Sequence, residues 1–337
     1  MELDSVRGLK AEISREIVAQ AEAETAVSYA AFASAEMSRI AEESNARHGT
    51  IALGVANASN ERHNEYRLAV RLTDESAPLM RRAEDIRAAA KGEADIRVIG
   101  RVIKQQPPWH RQRNRPLMIG GSIAHHAITA GTLGCFVKEV GRDVPLILSN
   151  NHVLANENKG AQGDTICQPG PADNGQSPGD KVAELSNFIP LDLRGTNLVD
   201  CAVATLHDGM VFDHVTLTGL GTLAGLGPAI DQVEVNVSKI GRTTGLRHGI
   251  VTAFEMDYLY VDYDLGALRF DNQIEIEGVG ADAFSEGGDS GSLVVDNDNR
   301  AVAMLFAGSS KGGQNGKGLS YAHPLAQVLD VLNVELL

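Results

Sequence analysis

Glu286-Gly287-Gly288-Asp289-Ser290-Gly291-Ser292-Leu293-Val294-Val295 is the stretch that decides how this chain is read. A serine stands between glycines, directly after an acid, and β-forming residues follow. This pattern is a tight turn that presents a hydroxyl and then enters a strand. Two further stretches give the serine partners: Leu148-Ser149-Asn150-Asn151-His152-Val153-Leu154 and Asn197-Leu198-Val199-Asp200-Cys201-Ala202-Val203-Ala204. Base, acid and nucleophile then run in the order His152, Asp200, Ser290. That is one of the chain orders in which a Ser-His-Asp triad is assembled.

The chemistry needs these residue types. A free serine hydroxyl is hardly ionised at neutral pH, so Ser290 requires a base. His152, placed where a strand-like run gives way to a loop, can take the proton and return it to a leaving amine. Asp200, at the start of a small apolar strand, can hold the imidazole tautomer. The amides of Gly288 and Ser290 can together form an oxyanion hole, and glycine permits the positive φ such a turn needs. Alone, each has a commonplace reading: a structural histidine, a capping aspartate, a turn serine. Together, in this order, they point to peptide-bond hydrolysis. An α/β-hydrolase order with Asp296 and His323 after the serine fits poorly, because Ser292 replaces the second elbow glycine and Leu293-Val294-Val295 is a strand. Asp192 is the second choice for the acid, but Leu193-Arg194-Gly195 after it has loop character.

The chain has 337 residues with a formal net charge of −14. A nucleic-acid-binding surface does not fit that charge. No run of 18 apolar residues marks a spanning helix, and Met1 to Arg7 carries no apolar signal region. The expectation is a cytoplasmic protein without membrane contact. Three cysteines, Cys135, Cys167 and Cys201, cannot all pair within the chain and read as reduced core thiols. No zinc spacing is present, so no metal and no cofactor are expected.

Residues 1–46 have helical spacing, with Ile13, Ile17, Ala21, Ala30, Ala33, Met37 and Ile40 forming a narrow stripe. Such a helix needs a partner surface, either this chain's own body or a second protomer in a homo-oligomer. Residues 47–116 read as a small β-β-α-β unit followed by a Pro- and Arg-rich linker from Gln105. From 117 to 337 short strands alternate with Gly, Asn and Asp turns, the pattern of an antiparallel barrel or sandwich. A closing helix is expected over Ala326 to Leu332. The fold class expected is mainly β: a double antiparallel barrel preceded by an N-terminal helix and a small α+β domain.

The segments Ile128 to Gly134, Ser149 to Val153, Val199 to Ala202, Ile240 to Leu246 and Gly288 to Leu293 resemble the trypsin/chymotrypsin-like (S1-like) serine peptidases. The match looks closest to the Narrow-leaf-type proteins of plants and their bacterial relatives. The resemblance implies two six-stranded barrels with the triad His152, Asp200 and Ser290 between them, and an oxyanion hole at Gly288 and Ser290. It also implies a protein or peptide substrate. Met118-Ile119-Gly120-Gly121 echoes the new N-terminus of processed trypsins, but Pro116 and Leu117 precede it, and we read the echo as coincidence. Asp289 then lacks its usual amine. Lys239 stands where secreted bacterial relatives carry a basic residue, so a Lys239–Asp289 ion pair is expected. Phe284 occupies the position of the trypsin pocket acid, which argues against a basic P1 residue. With Leu305, Ala307 and Gly308 as pocket wall, a small or apolar P1 is expected. The rival expectation is a catalytically silent protease fold serving as a binding or oligomeric scaffold.

Overall fold

The computed structural model describes residues 1–16, 50–58, 65–102 and 106–337. They fall into two compact units, Met1–Gln106 and Pro107–Leu337.

In the first unit, helix α1 (residues 3–16) precedes strands β1 (Ile51–Asn57) and β2 (Tyr66–Leu72), helix α2 (Ala77–Ala89) and strand β3 (Ala94–Val98). β2 lies in the centre, antiparallel to β1 and parallel to β3. Alternation puts Leu68, Val70 and Leu72 on one face of β2. That face is covered by Val6 and Ile13 of α1, two helical turns apart, and by Ala83 and Ile86 of α2. Residues 3–16 therefore find their partner surface on this chain's own sheet. Ile17, Ala21, Ala30, Ala33, Met37 and Ile40 lie outside the described residues.

The second unit contains β4 (Ser122–His125), β5 (Gly131–Thr132), β6 (Cys135–Glu139), β7 (Pro145–Ser149), helix α3 (Asn151–Leu154), β8 (Thr165–Cys167), β9 (Lys181–Phe188), β10 (Thr196–Asn197) and β11 (Ala202–Leu206). It continues with β12 (Asn236–Gly241), β13 (Gly245–Met256), β14 (Leu259–Tyr263), β15 (Gly266–Phe270), β16 (Gln273–Gly278), β17 (Leu293–Asp296), β18 (Ala301–Gly308), β19 (Leu319–Pro324), α4 (Leu325–Leu332) and β20 (Val334–Leu336).

The fold is mainly β, in two halves. The later half is a closed six-stranded barrel, β12-β13-β16-β19-β18-β17. The earlier half is an eight-stranded antiparallel sheet, β20-β6-β7-β11-β9-β8-β4-β5, and not the closed six-stranded barrel expected from the sequence. Its end strands have three and two residues, and they do not pair with each other. The C-terminus adds the extra edge: α4 buries Leu325, Val328, Leu329 and Leu332, a helical stripe, and so carries β20 onto β6. Each such side chain contributes roughly 1.5–3 kcal/mol of burial. A small third sheet, β10-β15-β14, flanks the two halves.

Residues 107–116, read from sequence as connector, pack into the second unit. Trp109–Arg111 form a helical turn with His110 buried, because that turn hydrogen-bonds the β12–β13 turn. Cys135, Cys167 and Cys201 are buried free thiols, and burial pushes Cys135 up to about 12. Among the described residues no helix is long and apolar enough to cross a membrane.

Candidate active site

His152 and Asp200 arrive through one strand pair. Ala202 of β11 stands opposite Ser149 of β7, so the residue two before Ala202 lies beside the residues just past Ser149. His152 does not open a loop, as its sequence context suggests, but sits in the single turn α3. Buried Val153 and Leu154 anchor that turn. Asn151 Nδ2 ties it down through Asn158 Oδ1 and the Ile189 carbonyl, each at 2.8 Å.

His152 Nδ1 lies 2.5 Å from Asp200 Oδ2, and the His152 amide donates to Asp200 Oδ1 at 3.2 Å. The histidine side chain is 22% exposed and the aspartate is fully buried. A buried carboxylate needs its full set of partners. Besides the two His152 donors, the Asp200 carboxylate accepts from Tyr263 Oη at Oδ2 (2.6 Å); its backbone is held as well, the carbonyl by Asn150 Nδ2 at 2.7 Å and the amide by donation to His323 Nε2 at 2.9 Å. Burial pushes Asp200 up, but the charge and hydrogen bond of His152, with Tyr263, outweigh it and hold the carboxyl below its ordinary range. Burial pulls His152 down, yet the charge of Asp200, its hydrogen bond and the charge of Glu157 lift the imidazole above its ordinary value.

His323 was weighed from sequence only as a base for the rejected hydrolase order. It stands behind the acid instead. Its Nδ1 bonds Gln273 Oε1 at 2.7 Å, and burial pushes its pKa down to about 3, so it stays neutral. Neutrality is what lets Nε2 accept the Asp200 amide. Asp296 and Asp192 are elsewhere: Asp296 caps the β17–β18 turn through the amides of Asp298 and Arg300, and Asp192 Oδ1 takes the Arg194 amide in a loop.

Ser290 belongs to a loop gripped from three sides. Thr132 Oγ1 donates to the Gly288 carbonyl at 3.0 Å, and Thr243 Oγ1 to the Gly287 carbonyl at 2.7 Å. The Asp289 carboxylate turns inward and accepts from the amides of Thr243 (2.7 Å), Thr244 (3.1 Å) and Glu286 (3.0 Å), from Thr244 Oγ1 (2.7 Å) and from Lys239 Nζ (2.8 Å). Lys239 and Asp289 are both fully buried. Burial lowers the Lys239 ammonium, opposed by Asp289. The same burial raises Asp289, and Lys239 overrides it, leaving the carboxyl low.

Gly288 has φ +95°, and a Cβ there would stand 2.6 Å from Thr243 Oγ1, so only glycine fits between that threonine and the loop. Gly291, at φ +93°, abuts Ser149 and the Thr132 carbonyl. That close approach brings the serine loop against the strand end that leads to His152. The amides of Gly288 and Ser290 have no acceptor among the described residues. Ser290 Oγ itself donates to the Phe306 carbonyl at 3.4 Å, and no hydrogen bond joins it to His152 among the described residues.

A cavity of about 480 Å³ opens beside Ser290, with Ala281, Ala283 and Ser285 on one wall and Leu305, Ala307 and Gly308 on the other. Phe284 does not line it. Phe284 stands in an irregular loop that turns its ring into the barrel core with Val251, Ile276 and Val294, and Ser285 lines the cavity in its place. Ser285 Oγ pairs with Ser320 Oγ at 2.6 Å. Lys317 lies at the rim. Sequence reasoning missed Tyr263, Gln273, Ser285 and Ser320. Only Tyr263 left a signal: Leu259, Val261 and Tyr263 alternate on one face of β14, which aims a polar-tipped ring inward.

No family model and no curated protein matches the chain. Solved structures similar to it are chymotrypsin-like serine proteases. Cellulomonas bogoriensis chymotrypsin is 18% identical, covering 66% of this chain and 98% of its own, with a TM-score of 0.45. Thermobifida fusca protease A is 15% identical, covering 66% and 98%, with a TM-score of 0.46. A glutamic acid-specific serine protease is 19% identical, covering 66% and 100%, with a TM-score of 0.46. At such identities the likeness is one of fold, and the chemistry of the site has to be argued from its own atoms.

Proposed function

We propose that the protein is a serine endopeptidase. One observation carries this reading: Ser290 lines a cavity, its amide and that of Gly288 have no acceptor among the described residues, and its loop packs against the strand that ends at a buried-carboxylate–imidazole pair.

The steps proposed are these. With Nδ1–H given to Asp200, His152 keeps its Nε2 lone pair for a proton. Ser290 Oγ leaves its weak bond to Phe306, passes its proton to His152 Nε2 and attacks the substrate carbonyl. The amides of Gly288 and Ser290 receive the negative oxygen; losing one such donor typically costs about 10²–10³ in rate. His152 then protonates the departing amine, and water, activated by the same imidazole, releases the acyl group. Asp200 stabilises the imidazolium throughout without taking the proton.

Ala281, Ala283, Ala307 and Gly308 favour a small or apolar P1 side chain. The three buried thiols are in keeping with a reducing, intracellular compartment. Closeness to the Narrow-leaf-type proteins rests on the motif stretches alone. Self-association through the N-terminal segment belongs to the same reading, and light scattering with and without residues 1–46 tests it.

The test is intact-mass spectrometry after fluorophosphonate treatment of wild type and Ser290→Ala. One adduct on wild type alone is expected. The bond from Ser290 Oγ to Phe306 favours a second reading, a silent protease fold used for binding. That reading requires no adduct on either protein.

A further inference from the structure

The hairpin β14–β15 is not part of the barrel, yet it reaches the acid. Five contacts fix its tip. Tyr263 Oη donates to Asp200 Oδ2 at 2.6 Å. Glu157, on the loop after α3, accepts the amides of Asp264 at 3.2 Å and Leu265 at 3.1 Å. The Tyr263 ring stands edge-on to His152 with 5.8 Å between centroids, and stacks on Phe270 at 6.0 Å. Phe270 leads on to Phe306 and His323, which stack on each other at 3.9 Å.

We propose that Tyr263 is a positioning residue of this site: its hydroxyl holds Asp200 Oδ2 at the point where His152 bonds it, and so sets both the orientation of the imidazole and its basicity. The inference rests on the reading of His152 as a general base. The argument is one of dipoles. A hydroxyl hydrogen aimed at Oδ2 shares the charge that would otherwise act wholly on the imidazolium. Burial and Asp200 push the Tyr263 phenol well above its ordinary value, so it stays a neutral donor. The charged and titratable groups facing His152 are Asp200, Tyr263 and Glu157, and His323 faces Asp200 from behind. Of these, only Tyr263 donates a side-chain hydrogen bond to the oxygen that His152 uses.

Tyr263→Phe keeps the ring contacts and removes the donor. Two readouts are measured. The first is the imidazole titration of His152 by NMR in Ser290→Ala, with and without Tyr263→Phe, the resonance being assigned with His152→Gln. Removing the donor is expected to raise the His152 pKa by about 0.5 unit, because the carboxylate then acts on the imidazolium undivided. The second is the pH profile of kcat/KM in the otherwise native protein. Its acid limb is expected to move up by the same amount, and kcat to fall roughly three- to tenfold with KM little changed. An unmoved His152 titration overturns the proposal, whatever happens to activity. A shifted titration in a protein that cleaves nothing supports the role of Tyr263 and sinks the protease reading instead.

Discussion

Lys239 Nζ lies 2.8 Å from Asp289 Oδ2 with neither side chain exposed to solvent. Asp289 is the residue between the two amides proposed to bind the oxyanion, so this pair braces the reacting loop from below. Lys239→Ala leaves a buried carboxylate without its cation. Breaking such a pair costs about 3–5 kcal/mol of stability. A loop that drops one oxyanion donor also loses about 10² in kcat. Denaturant unfolding and steady-state kinetics measure the two effects; a variant of full kcat shows that the pair does not hold the loop.

The pH dependence of cleavage follows from the base. His152 must be neutral to take the serine proton, and Asp200 with Glu157 lifts it above 6.5. Activity is therefore expected to rise with pH through a value above 6.5 and to fall on acidification. A kcat/KM profile with its acid limb below 6 contradicts this assignment.

His323 governs a different pH effect. Its folded pKa is about 3 against an ordinary 6.5, so between those values the unfolded chain binds a proton that the folded one refuses. Stability then falls as pH drops from 6.5 towards 3, by about 1.4 kcal/mol per pH unit for this one group. His323→Gln, which still offers an acceptor to the Asp200 amide, should shrink that slope. Urea midpoints at several pH values report it, and equal slopes in the two proteins refute it.

Gly308 lines the cavity next to Ser285: a Cβ there would touch Ser285 Oγ at 3.5 Å and crowd the Leu319 carbonyl at 3.2 Å. Gly308→Val pushes a branched side chain into this part of the cavity lining and narrows it. Cleavage after larger apolar residues should fall at least tenfold relative to cleavage after alanine, within the range a lost methylene-sized fit gives. A peptide library read on both proteins decides it, and an unchanged profile means that P1 does not enter this cavity.

Much of this was legible because it is local. Alternation exposed most strands, glycines bracketed Ser290, and the apolar run after Asp200 announced a strand. Lys239 was readable through the family resemblance, which implies a basic residue at that place, and the cost of an unpaired buried acid made its pairing with Asp289 the expectation. What escaped is long-range. Tyr263 is 63 residues from Asp200 and His323 is 123 residues from it, and no local pattern encodes such a meeting. Short strands escaped too. β4, β8 and β20 have four, three and three residues, too few for a period to show. His152 was misjudged locally because buried Val153 and Leu154 curl the chain into a turn where propensity alone suggests a loop. Phe284 was misjudged because position relative to the serine does not say which way a ring points.

Asp200 belongs to the eight-stranded sheet by chain order, yet its amide rests on His323 of the closed barrel and its carboxylate on Tyr263 of the hairpin beyond. The acid is thus a keystone between halves contributed by residues 122–206 and 236–324. A hinge movement at that seam would strip Asp200 of its Tyr263 hydroxyl and its His323 acceptor while leaving its bond to His152, which lies inside one half, unbroken.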